Sequence, residues 1–181
     1  MEKTLKLTIY HANQCDPKRC TGLRLKRRGF ARLVTKARFL PRRAVVLNPF
    51  SEIAFSPADR NRVEEFGLSA LDCSWEHAEK VLLKQVHGTS RCLPILIAGN
   101  PINFGKATKL TTAEALAGAL YIAGFKQEAV ELISIFAWGH TFLELNKIFL
   151  DNYASAQDST EIIQIQHSFM HDPKISRSVG N

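Results

Sequence analysis

Leu93-Pro94-Ile95-Leu96-Ile97-Ala98-Gly99-Asn100-Pro101-Ile102-Asn103-Phe104-Gly105 passes from an apolar run into a rigid polar turn. Lys109-Leu110-Thr111-Thr112-Ala113-Glu114 behind it carries the signals of a helix start. A second stretch, Leu68-Ser69-Ala70-Leu71-Asp72-Cys73-Ser74-Trp75, repeats the layout, ending its apolar run in an acid, a small residue and an indole. Strand, abrupt turn and helix start in succession is the grammar of open α/β sheets, where functional groups collect at the carboxyl ends of the strands.

Working outward, Leu5–Tyr10 and Ala44–Leu47 read as further strands, and Ala58–Phe66 and Trp75–His87 have helical spacing between strands. The four strand-like runs, with 94–98 as the fourth, lack strict alternation, as parallel strands covered on both faces do. Asn48-Pro49, Ser56-Pro57 and Asn100-Pro101 punctuate the pattern as turns. After Gly105 the spacing becomes helical. Ala113, Leu116, Leu120 and Ala123 mark one face, closed by Gly124; Ala129, Leu132, Ile133 and Phe136 mark a second, stopped near Gly139; Phe142, Leu145, Ile148, Phe149 and Tyr153 mark a third. Thr111-x-x-Glu114 has the form of a capping box. The expectation is an α/β domain over 1–107, an all-helical domain over 108–166 and a polar, mobile tail over 167–181.

The net charge of +7 is unevenly spread. Between Asp16 and Arg43 stand eleven Lys/Arg and one acid, while the rest of the chain is slightly acidic. Charge so concentrated is the footprint of a polyanion, and nucleic acid is the expected partner. Lys18, Arg24, Lys26, Arg27 and Arg28 are the candidate contacts, with Arg60 as an outlier. No apolar run approaches the length of a membrane span, and the start of the chain has no signal-peptide core, which reads as cytoplasmic. Four cysteines are too few for a secreted disulfide framework. Cys15-x4-Cys20 with His11 upstream hints at a metal, but no second ligand pair follows, so none is expected. Without a heptad or a repeated apolar face the chain reads as a monomer.

Read alone, Thr21 either caps a helix or offers its hydroxyl and N–H to an anion. Asp72 is either a general base at the sheet edge or an anion in a first helical turn. Trp75 either packs in the core or covers a cationic ligand. The turn over 98–105 matches neither a Walker loop nor a dinucleotide fingerprint. The six histidines show no ligand spacing.

Taken together and in order, Cys20-Thr21-Gly22, Leu47-Asn48-Pro49, Leu71-Asp72-Cys73-Ser74-Trp75, Leu93–Gly105 and Lys109-Leu110-Thr111 resemble the aminocarboxypropyltransferase family that modifies small-subunit ribosomal RNA, in its compact archaeal form. The resemblance implies a SPOUT-like α/β domain with a trefoil knot, followed by an all-α domain. It implies transfer of the 3-amino-3-carboxypropyl group of S-adenosylmethionine to N3 of a uridine or methylated pseudouridine, leaving 5′-methylthioadenosine. Thr21 and Thr112 would hold the methionine carboxylate. Leu47, Pro49, Trp75, Leu93, Leu110 and Ala115 would enclose the adenine, Leu71 would meet the ribose, and Thr108 would line the same pocket. Trp75 and Ala78 would wall off the sulfonium methyl, with Asp72 as candidate base beside the transferred chain. The partner implied is small-subunit rRNA or a pre-ribosomal particle. The chain departs from the family pattern at Gly99, Phe104 and Thr108, where the family has Ala, Tyr and an aromatic. Two other functions are open to such a chain: methyl transfer to RNA from the same donor, and non-catalytic RNA binding in ribosome assembly.

Overall fold

The computed structural model describes residues 5–14, 16–72 and 87–171. Five strands form one all-parallel sheet: β1 (Leu7–His11), β2 (Arg32–Val34), β3 (Val45–Leu47), β4 (Leu68–Asp72) and β5 (Thr89–Arg91). Their order is β2-β1-β4-β3-β5. Helices α1 (Thr21–Arg27) and α2 (Arg60–Phe66) lie among the strands in sequence. Helices α3 (Thr112–Ile122), α4 (Lys126–Ser134), α5 (Gly139–Leu145), α6 (Lys147–Ser155) and α7 (Ser159–His171) follow them.

The three central strands are the ones with continuous apolar runs, and Ile9, Val45, Val46, Leu68 and Ala70 are buried. The edge strands β2 (Arg-Leu-Val) and β5 (Thr-Ser-Arg) are three residues long and carry no such signal; pairing to β1 and β3 makes them strands. Register sets up the site: His11 lies opposite Asp72 and Leu47 opposite Arg91, so the carboxyl ends of four strands meet at one edge.

The apolar run 94–98 is not a strand of this sheet. Helical side chains take up its peptide groups instead. Asn146, fully buried, accepts from Ile97 N at 2.7 Å and donates to Ile97 O at 2.7 Å. Gln166 accepts from Ile95 N, and the Tyr153 hydroxyl donates to Ile95 O. Other groups pair locally: Thr108 N donates to Leu96 O, Ala98 N to Lys106 O and Gly105 N to Ala98 O. Buried peptide groups must find partners, and these came from far away in sequence.

Thr111 caps α3 as expected, its hydroxyl accepting from Glu114 N while the Glu114 carboxylate accepts from Thr111 N. The turn into α4 runs through Gly124 at φ +84°, where a side chain would be strained and would also meet the Arg60 guanidinium. Two helical expectations change. Gly139 opens α5 rather than only closing the helix before it, and the face from Phe142 to Tyr153 belongs to two helices separated by Asn146. Residues 167–171, expected as the start of a mobile tail, continue a helix to His171, because Phe169 packs edge-on against Phe149 at 4.8 Å and against Tyr153 at 6.1 Å; residues 172–181 lie outside the described residues.

The expected fold class is also corrected. Helix α3 is apolar nearly all round, as only a central helix can be. It packs on β4, α1, α4 and α6. One core therefore runs from Leu7, Ile9 and Leu68 through Leu116 and Leu120 to Phe142 and Tyr153. An α/β domain followed by a separate all-α domain is replaced by a single α/β fold in which the later helices complete the core over the parallel sheet. Among the described residues no helix is long and apolar enough to cross a membrane.

Candidate active site

At the carboxyl edge of the sheet lies a cavity of about 410 Å³, within the range that takes a nucleoside-sized ligand. Strand ends supply Leu47 from β3 and Ala70, Leu71 and Asp72 from β4. Asn48 and Pro49 continue from β3; Cys92, Leu93 and Pro94 continue from β5. Arg19, Cys20 and Thr21 come from the start of α1, and Thr108, Leu110, Thr111, Thr112 and Ala115 from the start of α3.

The lining holds two kinds of chemistry. Leu47, Pro49, Leu93, Leu110 and Ala115 are apolar groups suited to a flat heteroaromatic ring. Two helix starts line the same cavity. Thr21 and Thr112 are the first residues of α1 and α3, whose first-turn N–H groups have no acceptor within the helix. The two are stitched together, since Ala113 N donates to the Thr21 hydroxyl at 3.3 Å. Paired helix starts favour an anion such as a carboxylate.

Buried Glu114 fixes this geometry. Its Oε1 accepts from Gly99 N and Asn100 N, and its Oε2 accepts from Asn100 Nδ2, Thr111 N and the Thr111 hydroxyl, all at 2.7–3.0 Å. The turn after residue 98 is thereby tied to the start of α3. Thr108 at the cavity wall sits at φ +62°, a conformation that β-branched residues rarely take.

Asp72 stands beside Thr21's neighbours. Cys20 Sγ lies 3.1 Å from its Oδ2 and His11 Nε2 lies 3.6 Å from the same oxygen. Gly22 allows the approach, because a Cβ there would come within 3.0 Å of that oxygen. Burial pushes the thiol of Cys92, another cavity residue, up from its ordinary value.

Of the residues singled out in the sequence, Thr21, Leu47, Pro49, Leu71, Asp72, Leu93, Thr108, Leu110, Thr112 and Ala115 are thus brought around one cavity. Trp75 and Ala78 lie outside the described residues. Arg19, His11 and Cys20 were not picked out for this place. Only the parallel register of β1 with β4 carries His11 to Asp72 across some sixty residues of sequence. Lys18, Lys26, Arg27 and Arg28 are exposed, and Arg24 is stacked over Phe136 at 5.1 Å. Arg60 has a structural engagement: it donates to Ala123 O at 2.8 Å and stacks on Phe125 at 4.2 Å, closing the end of α3.

The model of the family "Ribosome biogenesis protein, C-terminal" matches residues 45–170. The 16S rRNA aminocarboxypropyltransferase of Methanosarcina acetivorans is 49% identical over 170 residues, 93% of this chain and 96% of that protein. That of Methanocaldococcus jannaschii is 46% identical, over 91% and 96%. The chain belongs to the 16S rRNA aminocarboxypropyltransferase family.

The solved structure of the SAM-dependent rRNA:acp-transferase Tsr3 from Vulcanisaeta distributa superposes with a TM-score of 0.81 at 36% identity, over 91% of this chain and 97% of that one. This match assigns the fold to the aminocarboxypropyltransferases themselves, and the SPOUT-like knotted class expected from the sequence is withdrawn. A further model, "Possible Fer4-like domain in RNase L inhibitor", matches residues 5–38. That stretch holds two cysteines, Cys15 and Cys20, where an iron–sulfur cubane takes about four thiolates, so such a cluster does not fit it.

Proposed function

We propose that this protein transfers the 3-amino-3-carboxypropyl group of S-adenosylmethionine to N3 of a uridine-derived base, a uridine or a (methyl)pseudouridine, in small-subunit rRNA. The cavity at the carboxyl edge of the sheet carries this reading. It joins an apolar lining, paired helix starts and a carboxylate in one space, in a member of this family. The apolar groups take the adenine, Thr21 and Thr112 take the methionine carboxylate, and Asp72 stands along the chain between them.

In the transfer the N3 nitrogen attacks Cγ of the bound donor. The Cγ–S bond breaks with its electrons returning to sulfur, 5′-methylthioadenosine is released, and the N3 proton passes to a base. Holding both ends of the donor leaves Cγ presented to the RNA, and such positioning is worth up to about 7–11 kcal/mol of barrier. Asp72 as proton acceptor adds about 10²- to 10⁴-fold. Trp75 and Ala78 are assigned to the sulfonium methyl by the resemblance alone.

The basic segment supplies the electrostatic attraction for rRNA. Phe50, beside the cavity residue Pro49, and Phe104 are 46% and 58% exposed and offer faces on which unpaired bases stack. We assign the protein to the cytoplasm as a monomer acting on a small-subunit precursor. The test is incubation with small-subunit rRNA and donor labelled either in the carboxypropyl chain or in the methyl group. Chain label entering RNA together with methylthioadenosine release is the expected result; methyl label in RNA would show a methyltransferase. If Asp72→Ala leaves modification intact, Asp72 is not the base.

A further inference from the structure

The basic segment ends in a turn that presents an aromatic ring to solvent. Phe39, in the 3₁₀ turn Ala37–Phe39 that follows β2, is 54% exposed, with the Arg38 guanidinium 5.2 Å from its ring centroid. Lys36, Arg38 and Arg42 around it are exposed, and among the described residues none of them is paired with a carboxylate. Residues 31–43 hold five Lys/Arg and no acid, so this surface selects a polyanion. We propose that the turn is a platform for single-stranded RNA. One unpaired base flanking the target nucleotide stacks on Phe39, while Lys36, Arg38 and Arg42 hold the neighbouring phosphates. The proposal rests on the reading of the protein as an rRNA-modifying enzyme, and adds a grip outside both the cavity and the cations at 18–28.

The turn is built to keep the ring outside. Residues three apart in a 3₁₀ turn share a face, and Ala37 and Leu40 are both buried in a small cluster with Tyr10 and Val34. Anchoring that pair inward turns Phe39 outward. Phe39 N donates to Lys36 O and Leu40 N to Ala37 O, both at 3.0 Å, and Pro41 restricts the exit. An exposed ring among cations is how single strands are held, because every base has a π-face and the cations track the backbone. A duplex keeps its base faces inside the stack and offers the ring no partner.

Topology sets the platform beside the site. β2 runs parallel to β1 with Val34 opposite Tyr10, and β1 runs parallel to β4 with Tyr10 opposite Leu71. The turn therefore leaves the same carboxyl edge at which the cavity lies, and two strand spacings put Val34 about 10 Å from Leu71. Leu71 lines the cavity and also packs against the cluster that anchors the turn. An RNA strand that delivers one base to the cavity can thus lay a flanking base on Phe39.

The test measures binding of a fluorescein-labelled oligouridylate of about 16 nucleotides by anisotropy over a salt series, without S-adenosylmethionine. Phe39→Ala should weaken binding about fivefold or more and leave the log–log salt slope unchanged, because stacking releases no counterions. Phe39→Leu, which keeps apolar bulk without a π-face, should weaken it nearly as much, and Phe39→Trp should keep it. Arg42→Gln should lower the slope by about 0.7, the value of one phosphate contact. Affinity for a fully paired RNA duplex should not change in Phe39→Ala, and Ile148→Ala, at another exposed apolar position, should change neither affinity. Unchanged single-strand affinity in Phe39→Ala, full affinity in Phe39→Leu, or an equal loss on the duplex overturns the proposal. Because binding needs no donor, these results stand apart from the transfer assay: methyl label in RNA would refute the transferase reading and leave the platform in place.

Discussion

Replacing Glu114 by glutamine should loosen the active site from within. The carboxylate is fully buried and accepts five hydrogen bonds, two at Oε1 and three at Oε2. A glutamine side chain is nearly the same shape but offers one acceptor and one donor. Whichever way it turns, its NH₂ faces donors: either Gly99 N and Asn100 N, or Asn100 Nδ2 and the Thr111 N–H and hydroxyl. At least two bonds to a charged acceptor are lost, at about 1.5–3 kcal/mol each, so a loss of about 3–6 kcal/mol follows. Against a typical domain stability of about 5–15 kcal/mol that is severe. Urea unfolding followed by circular dichroism measures it. Glu144→Gln on α5 is the control, since its exposed ion pair with His140 should contribute under about 1 kcal/mol. A loss below about 1 kcal/mol for Glu114→Gln would refute the claim that this carboxylate holds the 99–111 loop to α3.

Gly22→Ala should separate folding from catalysis. Helix propensity favours the alanine by about 1 kcal/mol, yet its Cβ would press within 3.0 Å of Asp72 Oδ2, so unfolding should change little while RNA modification falls about tenfold or more; unchanged turnover would count against Asp72's placement. Asp151 is held down to about 2 from 3.8, first by its hydrogen bond from Lys147 and then by that from Tyr121. A depressed carboxylate contributes stability above its unfolded pKa that is lost as pH falls through the folded value. Asp151→Asn should therefore cost under about 1 kcal/mol at pH 7, discounted because the group is 39% exposed, and the gap between the two proteins should close as pH is lowered from about 4 to 2. Charge reversal at Lys26 and Arg27, both exposed, should lower the salt dependence of rRNA binding by about 0.7 in log–log slope per phosphate contact removed; a slope that does not move would place the RNA elsewhere.

Local signals in the chain carry a good part of this description. The capping box at Thr111 and Glu114, the glycine after α3, and the apolar runs of β1, β3 and β4 are short-range chemistry, legible wherever they occur. Of the cavity residues, Thr21 and Asp72 stand out locally as a helix start and a strand end, whereas Leu47, Pro49, Leu71, Leu93, Thr108, Leu110, Thr112 and Ala115 follow from the resemblance to the family. What the chain alone left undecided depends on partners far away in sequence. β2 and β5 are strands only because β1 and β3 stand beside them. Residues 94–98 have the apolar content of a strand and lose that fate to Asn146, Tyr153 and Gln166. The helices after residue 112 look like a domain of their own until α3 is seen buried between β4 and α6. The meeting of His11, Cys20 and Asp72 follows from strand register, which no single stretch of sequence encodes. Propensity and capping act over a few residues, whereas pairing and burial are settled only when the whole chain has found its neighbours.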